Sequence, residues 1–166
     1  MLKIEPVAKI LTTTGTMLPA WDEARERLAD SQFYWLATVH PDGRPHVVPV
    51  LAVWHDGALH FVASPGSRKA RNLTENGAAT ITVDSDDLHI VVEGTTTKVR
   101  DTGQLQGIAD EYEMKYGWLV TIRDGAYYGQ GAPTAGPPPY DVYRLSPSVV
   151  FAFGSDESFT PTRWRF

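Results

Sequence analysis

Apolar and β-branched residues recur along the chain in short runs separated by polar turns, a pattern typical of strands. The runs predict strands at 33–39, 46–54, 59–64, 78–84 and 88–99, and two more within 140–154, around Ser146-Pro147. Asp-Gly pairs at 42–43 and 56–57 are strong hairpin signals. The first three strands are therefore expected to form an antiparallel meander.

Three other segments have the apolar spacing of helices rather than strands. They are 18–32, with acidic residues in its first turn, 102–117, and a short segment that begins near Ser67. Between 124 and 139 the chain is rich in Gly, Pro and Tyr, which predicts a long surface loop. Loops of this length are usually functional or mobile.

The strand at 46–54 is apolar at nearly every position, whereas a strand with one face in water alternates. Burial of both faces requires a barrel interior on one side and a covering layer on the other. The predicted helices are too few to form that layer, so a homodimer is expected. The ending "TRWRF" alternates Arg163 and Arg165 with Trp164 and Phe166, which is typical of a docked strand, and a dimer interface is one place for it.

Composition restricts the function classes. With 166 residues, one domain is predicted over 1–166, with 1–17 as an N-terminal arm. A formal net charge of -5 argues against a general nucleic-acid or anionic-membrane binder. The absence of cysteine excludes disulfides and thiolate sites. No apolar run is long enough to span a bilayer and no signal-peptide pattern is present, so a cytoplasmic location is expected.

One stretch, "FVASPGSRKARNL" at 61–73, runs against this acidic background. Its predicted helix carries the cations Arg68, Lys69 and Arg71 in the first turn, although a helix N-terminus favours carboxylates. The cations either form a solvated basic patch, with Ser67 as the helix cap, or bind an anion. Helix N-termini and charge-assisted hydrogen bonds both favour phosphate as that anion.

The histidines give weaker signals. None of them has a spacing comparable to H-E-x-x-H, so no metal site is predicted, and structural or solvent-facing roles are favoured. They are His40, His46, His55, His60 and His89. The paired acids in "DEYEMKY" are typical of a solvated helix face, and no Ser-His-Asp arrangement stands out.

Together with its flanks, this stretch resembles the pyridoxamine 5'-phosphate oxidase-like split β-barrel superfamily. "DGRPHVVPV" before it and "IVVEG" after it stand in the expected order, and the resemblance covers roughly residues 30–154. The ending "FTPTRWRF" resembles actinobacterial members, several of which use the deazaflavin coenzyme F420. The resemblance implies a mainly β (α+β) fold, a six-stranded antiparallel split β-barrel with a few short helices, and cofactor sites between two subunits.

The resemblance also implies the residues that bind FMN or F420. In the family a Ser-Arg-Lys step grips the cofactor phosphate, one strand faces the ring, and another lies against the ribityl chain. The C-terminal segment often approaches the cofactor held by the other subunit. The matching residues are Ser67, Arg68 and Lys69 for the phosphate, Val47, Val48, Pro49 and Val50 for the ring, Val62, Ala63 and Ser64 for the ribityl chain, His89 in place of a glutamine, and Trp164 at the C-terminus. Pro49 has no N–H, so it fits only at a strand edge or bulge.

The implied activity is that of an oxidoreductase that transfers hydride from F420, or alternatively FMN, to a conjugated small molecule. The basic residues that pyridoxamine phosphate oxidases use for their substrate have no match, so vitamin-B6 oxidation is not expected. No catalytic residue is assigned. Candidate proton donors are His89, Tyr127, Tyr128 and Tyr140, and candidate partners for the anionic tail of F420 are Arg44, Lys98 and Arg100. The alternative is a non-catalytic protein of the same fold that sequesters a flavin or haem.

Overall fold

The computed structural model describes residues 5–12, 17–132 and 134–166; parts of the predicted N-terminal arm, 1–4 and 13–16, lie outside the described residues. The helices are α1 (Trp21–Asp30), α2 (Arg68–Glu75) and α3 (Thr102–Tyr116). The strands are β1 (Val7–Ile10), β2 (Tyr34–Val39), β3 (Pro45–Val50), β4 (Ala52–His55), β5 (Ala58–Ala63), β6 (Ala78–Asp84), β7 (Leu88–Val99), β8 (Thr121–Arg123), β9 (Ala126–Tyr128), β10 (Asp141–Gly154) and β11 (Thr162–Arg165). None of these helices is long and apolar enough to cross a membrane.

One antiparallel sheet of nine strands forms the body of the molecule, with its main path in the order β1-β11-β10-β7-β6-β2-β3. The long strand β10 pairs with β7 along one edge. Its other edge pairs first with β5, over 141–145, and then with β11, over 149–152. Because one strand carries two different neighbours on the same edge, the sheet divides there, as expected of a split barrel.

Alternating side chains along the strands supply the barrel core. In β6, for example, Ala79, Ile81 and Val83 are buried while the residues between them are at least partly exposed. A second apolar cluster lies under α3, where Leu105, Ile108 and Tyr112 pack with Trp118 and Tyr127. Its position brings the segment after α3 against the end of β5, which is where the predicted phosphate site begins.

The predicted fold class is confirmed, with three corrections to the strands. The run 46–54 forms two strands that divide at Leu51, because 45–50 pair with β2 whereas 52–55 pair with β5. The run 140–154 forms one strand, with a register shift between Pro147 and Val149. Proline is tolerated at such an irregularity, where a ladder N–H is not needed. With β1 and β11 added, the sheet has nine strands rather than six.

The C-terminal segment is a docked strand, as predicted. β11 lies between β1 and β10 of its own chain. Trp164 is 2% exposed and its ring lies 5.6 Å from that of Trp21. Phe166 contacts the same tryptophan edge-on but is 43% exposed, so of the two aromatic side chains in this ending only Trp164 is buried. Phe166 follows the last paired residue of the strand, which leaves its ring at the surface.

Candidate cofactor site

The N-terminus of α2 is capped as the sequence predicts. The Ser67 hydroxyl accepts a hydrogen bond from the Ala70 amide at 3.3 Å. Ala70 and Leu73 are buried against the barrel, while Arg68 and Arg71 are exposed. Neither arginine has a carboxylate within salt-bridge distance in the described part of the chain. The start of α2 therefore presents uncompensated positive charge to solvent.

Lys69 does not fit the solvated basic patch, one of the two interpretations that the sequence left open for these cations. It is only 4% exposed, and its ammonium donates a hydrogen bond to the Thr134 carbonyl oxygen at 2.5 Å. Burial lowers the pKa of Lys69 below its ordinary value. The ammonium of Lys69 is therefore buried without an anionic partner, which is unfavourable for a charged group. A residue of a solvated patch would have water around its charge instead.

The segment that covers Lys69 is Thr134–Pro137, which we call the strap. The strap lies within the predicted loop 124–139, close to its end, and a short hairpin in which β9 pairs with β8 spans the start of that loop. The Ser64 amide donates to the Ala135 carbonyl at 2.8 Å, and the Ser64 hydroxyl donates to the Pro137 carbonyl. Two of the residues predicted to contact the cofactor, Ser64 and Lys69, are thus bonded to the chain's own strap.

His40 and His46, for which the sequence favoured structural or solvent-facing roles, lie close to Arg68 and Lys69, and we call these four residues the cationic corner. Burial lowers the pKa of His46, and the positive charges of His40, Lys69 and Arg68 lower it further. The His40 and His46 rings lie 5.4 Å apart, edge to face. No metal or catalytic motif in the sequence includes these two histidines. Only the fold brings them near the α2 cations, because the β2–β3 hairpin returns His46 to the side on which α2 packs.

α2 is fixed to that hairpin by a buried amide. Asn72 is fully buried and its side-chain amide donates to the Thr38 hydroxyl at 3.0 Å. Thr38 is the cross-strand partner of His46. The other polar atom of that amide, Asn72 Oδ1, has no hydrogen-bond partner among the described residues. The Asn72–Thr38 contact therefore sets the position of the α2 cations relative to His46.

The predicted ring-facing residues lie on β3, at the end of the main path of the sheet. Val47 and Pro49 point outward and are exposed, whereas Val50 is buried and Val48 lies between these extremes. The position of Pro49 on an edge strand confirms the requirement that its missing N–H imposed. Outward-facing Trp35 on β2 pairs with Pro49, which gives this edge an apolar outer surface.

The other predicted cofactor residues are more dispersed. Val62 and Ala63 are buried and pair with β10. His89 bonds Asp84 at 2.6 Å, at the far end of the β6–β7 hairpin. Thr80 of β6 pairs with Ala37 of β2, next to the Thr38 that α2 contacts. Asp84 lies four residues further along β6, roughly 13 Å away. Within one chain His89 is therefore remote from α2, and Trp164 lies in the core; their contact with a cofactor stays a prediction.

Several other candidates are already engaged. Tyr127 is buried and its hydroxyl donates to the Leu105 carbonyl, and Tyr140 is 2% exposed, so neither is placed to donate a proton to a ligand. Lys98 pairs with Asp141 at 2.6 Å and Arg44 with Asp42 at 2.9 Å. Arg100, the third candidate for the anionic tail, is exposed and has no carboxylate within salt-bridge distance among the described residues, so its contact with a cofactor stays a prediction.

A family model described as pyridoxamine 5'-phosphate oxidase matches residues 20–153, most of the chain. The chain belongs to this family. The match includes the α2 cations, the β2–β3 hairpin and the strap. A comparison with curated protein sequences gave no match.

Solved structures confirm the fold of this family member. A haem-binding protein from Mycobacterium smegmatis is 17% identical with a TM-score of 0.61, over 78% of this chain and 52% of that one, so the chain spans about half of its length. A pyridoxamine 5'-phosphate oxidase-related, FMN-binding protein from Nostoc punctiforme is 19% identical, with a TM-score of 0.55 and coverages of 84% and 86%. A structure described as an F420 reductase is 23% identical, with a TM-score of 0.53 and coverages of 76% and 94%.

Proposed function

We propose that the protein is a homodimeric oxidoreductase that binds F420, or alternatively FMN, and transfers hydride to a conjugated small molecule. The observation that carries the proposal is the cationic corner at the start of α2. Arg68 and Lys69 lie there on a capped helix N-terminus, close to His46, and neither cation has a carboxylate within salt-bridge distance in the described part of the chain. Such a corner suits a phosphate group.

The residues present fit a phosphate-bearing cofactor of this type. When bound, the cofactor supplies the two-electron chemistry, and the chain supplies anchoring and orientation. Arg68 is exposed and free to meet the phosphate, and Ser67 keeps the first turn of α2 in place. The apolar edge of β3, with Val47 and Pro49, offers a surface against which a planar ring system packs.

Support for the dimer comes from the outer face of β2 and β3. Trp35 is 51% exposed and Val47 is 55% exposed, and neighbouring Phe33 is 73% exposed. A contiguous apolar face of this kind is unusual on a monomer and is typical of an interface. The proposal places a second copy of the chain over this face, beside the edge of β3.

A second candidate is a haem-binding protein without catalytic activity. The observation that favours it is the pair His40 and His46, whose rings lie 5.4 Å apart and are both partly exposed. Imidazole nitrogens ligate haem iron, and Arg68 beside them is suited to a propionate. The haem-binding candidate requires a histidine as iron ligand, whereas the oxidoreductase candidate does not.

Separate titrations of the purified protein with FMN, riboflavin, F420 and hemin test both candidates. We expect F420 or FMN to bind, and FMN to bind at least about tenfold more tightly than riboflavin, since a charge-assisted contact is worth about 1.5–3 kcal/mol. Equal affinity for FMN and riboflavin would contradict a phosphate site. Binding of hemin alone, lost in His46→Ala, would select the second candidate.

Turnover separates a reductase from a protein that only holds the cofactor. The loaded protein is supplied with reduced F420 and a panel of conjugated acceptors, and oxidation of the cofactor is followed by absorbance. Oxidation that depends on both protein and acceptor is the expected result. Tight binding without turnover of any acceptor would favour sequestration.

A further inference from the structure

The strap occupies hydrogen-bond donors that a phosphate-bearing cofactor at α2 would use. Three of its four carbonyls, from Thr134, Ala135 and Pro137, accept from the Lys69 ammonium, the Ser64 amide and the Ser64 hydroxyl, respectively. The two Ser64 donors are therefore satisfied by the chain itself, and the buried Lys69 ammonium has one of its three N–H groups bonded to the strap. Carbonyl oxygens are neutral acceptors, and a phosphate dianion is a stronger partner for an ammonium.

The strap packs against the body of the molecule. Ala135 is 2% exposed and packs in the apolar cluster under α3, among residues such as Val62, Tyr112 and Trp118. Its amide also donates a hydrogen bond to the Ala132 carbonyl at 3.0 Å. One small buried side chain and three accepted hydrogen bonds hold the segment, so its release exposes little apolar surface.

Gly136 gives the strap its close approach to β5. Its φ is +89°, a conformation that favours glycine, and a Cβ added there would lie 2.7 Å from Ser64 Oγ. Gly131, in the same loop, has a φ of +86° but no atom within 4 Å of an added Cβ. An alanine at either position suffers similar backbone strain, and only the one at 136 collides with Ser64.

We propose that the strap is an autoinhibitory segment that competes with a phosphate-bearing ligand for Lys69, the residue matched to the phosphate, and for Ser64, the residue matched to the ribityl chain. A phosphate-bearing ligand gains these donors only when Thr134–Pro137 moves away from them, while Arg68 remains available for the first encounter. The apparent affinity of the site is then reduced by the fraction of molecules in which the strap is released. The nature of the ligand rests on the proposed function, whereas the competition for Lys69 does not.

The test compares Gly136→Ala with its matched control, Gly131→Ala. Lysine acylation by an amine-reactive ester is followed at Lys69 by mass spectrometry, with and without inorganic phosphate, and FMN affinity is measured in parallel. We expect Gly136→Ala to acylate Lys69 several-fold faster than Gly131→Ala and wild type. We also expect phosphate to protect Lys69 at a several-fold lower concentration in that variant.

Two results would overturn the proposal. Equal acylation of Lys69 in both variants would mean that the strap does not restrict it. Faster acylation accompanied by weaker phosphate protection would mean that the strap helps to form the site instead of blocking it. If phosphate protects Lys69 better in Gly136→Ala while FMN and F420 bind to neither variant, the strap inference stands and the proposed function fails.

Discussion

At the scale of single residues, Lys69 differs from the other cations of α2 in its burial. Arg68 and Arg71 are exposed, but Lys69 is buried under Thr134 with its pKa lowered by burial. The free protein gives Lys69 a neutral acceptor, and the proposed ligand would give it an anionic one. The difference between these partners is what Lys69 contributes to binding.

Replacement of Lys69 by methionine removes the charge and keeps an unbranched apolar side chain. We expect affinity for FMN or F420 to fall roughly tenfold, because the lost contact to phosphate outweighs the lost contact to the Thr134 carbonyl by about 1.4 kcal/mol or more. Arg71→Gln, an exposed position on the same helix, changes the net charge equally and serves as the control. Equal losses in both variants would indicate general electrostatic attraction without a defined site.

His60 makes stability depend on pH. It is fully buried, neither ring nitrogen has a hydrogen-bond partner of good geometry among the described residues, and burial together with Arg144 and His55 lowers its pKa to about 3. The unfolded chain, with an ordinary histidine pKa of about 6.5, binds a proton between these values that the folded chain does not. Stability should therefore fall as the pH falls from about 6.5 towards 3.

The variant His60→Leu removes this titration without removing a hydrogen bond. We expect its free energy of unfolding to match or exceed that of the wild type at pH 8, and its advantage to grow on acidification, to at most about 3 kcal/mol at pH 4. Urea denaturation at a series of pH values measures the difference. A difference that does not change with pH would show that His60 is protonated without penalty in the folded state.

At the scale of elements, β11 shows how a local pattern acquires its role. The alternation in "TRWRF" predicts one buried aromatic face, and pairing with β1 and β10 decides that Trp164 fills the core of its own chain. The expectation that this segment also approaches the cofactor of the other subunit remains a prediction. The core role requires a large buried side chain at position 164, whereas the cofactor role requires contact between the indole and the ligand.

Replacement of Trp164 by alanine should cost about 3–5 kcal/mol of unfolding free energy, as for other buried large-to-small substitutions. Phe166→Ala, at a half-exposed ring on the same tryptophan partner, should cost about 1 kcal/mol. Denaturant unfolding measures both. Trp164→Phe fills much of the space, and unchanged cofactor affinity in that variant would argue against a cofactor contact by the indole.

At the scale of the whole molecule, the outer face of β2 and β3 requires an explanation that one chain does not provide. Trp35 pairs across the strands with Pro49, and Ala37 pairs with Val47, on the side away from the barrel core. These cross-strand pairs are apolar and at least partly exposed. A partner subunit that covers them would also border the edge of β3.

Sedimentation at micromolar concentration should give a single species of twice the chain mass of 18.4 kDa. Trp35→Lys places a charge in the middle of the proposed interface and should give monomers. Leu119→Lys, at a side chain that is 69% exposed but outside this face, should leave the dimer intact. A folded monomer for the wild type would remove the second subunit from the proposed cofactor site.

Local pattern in the sequence determined much of this molecule. The bounds of β6 and β7 follow the runs 78–84 and 88–99, because side-chain alternation and strand propensity act within a few residues. The Ser67 cap, the burial of Ala70 and Leu73 and the edge position of Pro49 follow from equally local rules. The family resemblance rests on these same short segments, which is why the fold class was predictable.

Tertiary structure alone decided the environment of the candidate site. Lys69 and Thr134 are 65 positions apart, and so distant a contact leaves no periodic signal in the sequence. The same holds for His46, which reaches the α2 cations only because the β2–β3 hairpin returns it beside the Thr38–Asn72 contact. Propensity and periodicity describe neighbours along the chain, whereas burial, pKa and competition for a donor depend on which distant segments the barrel brings together.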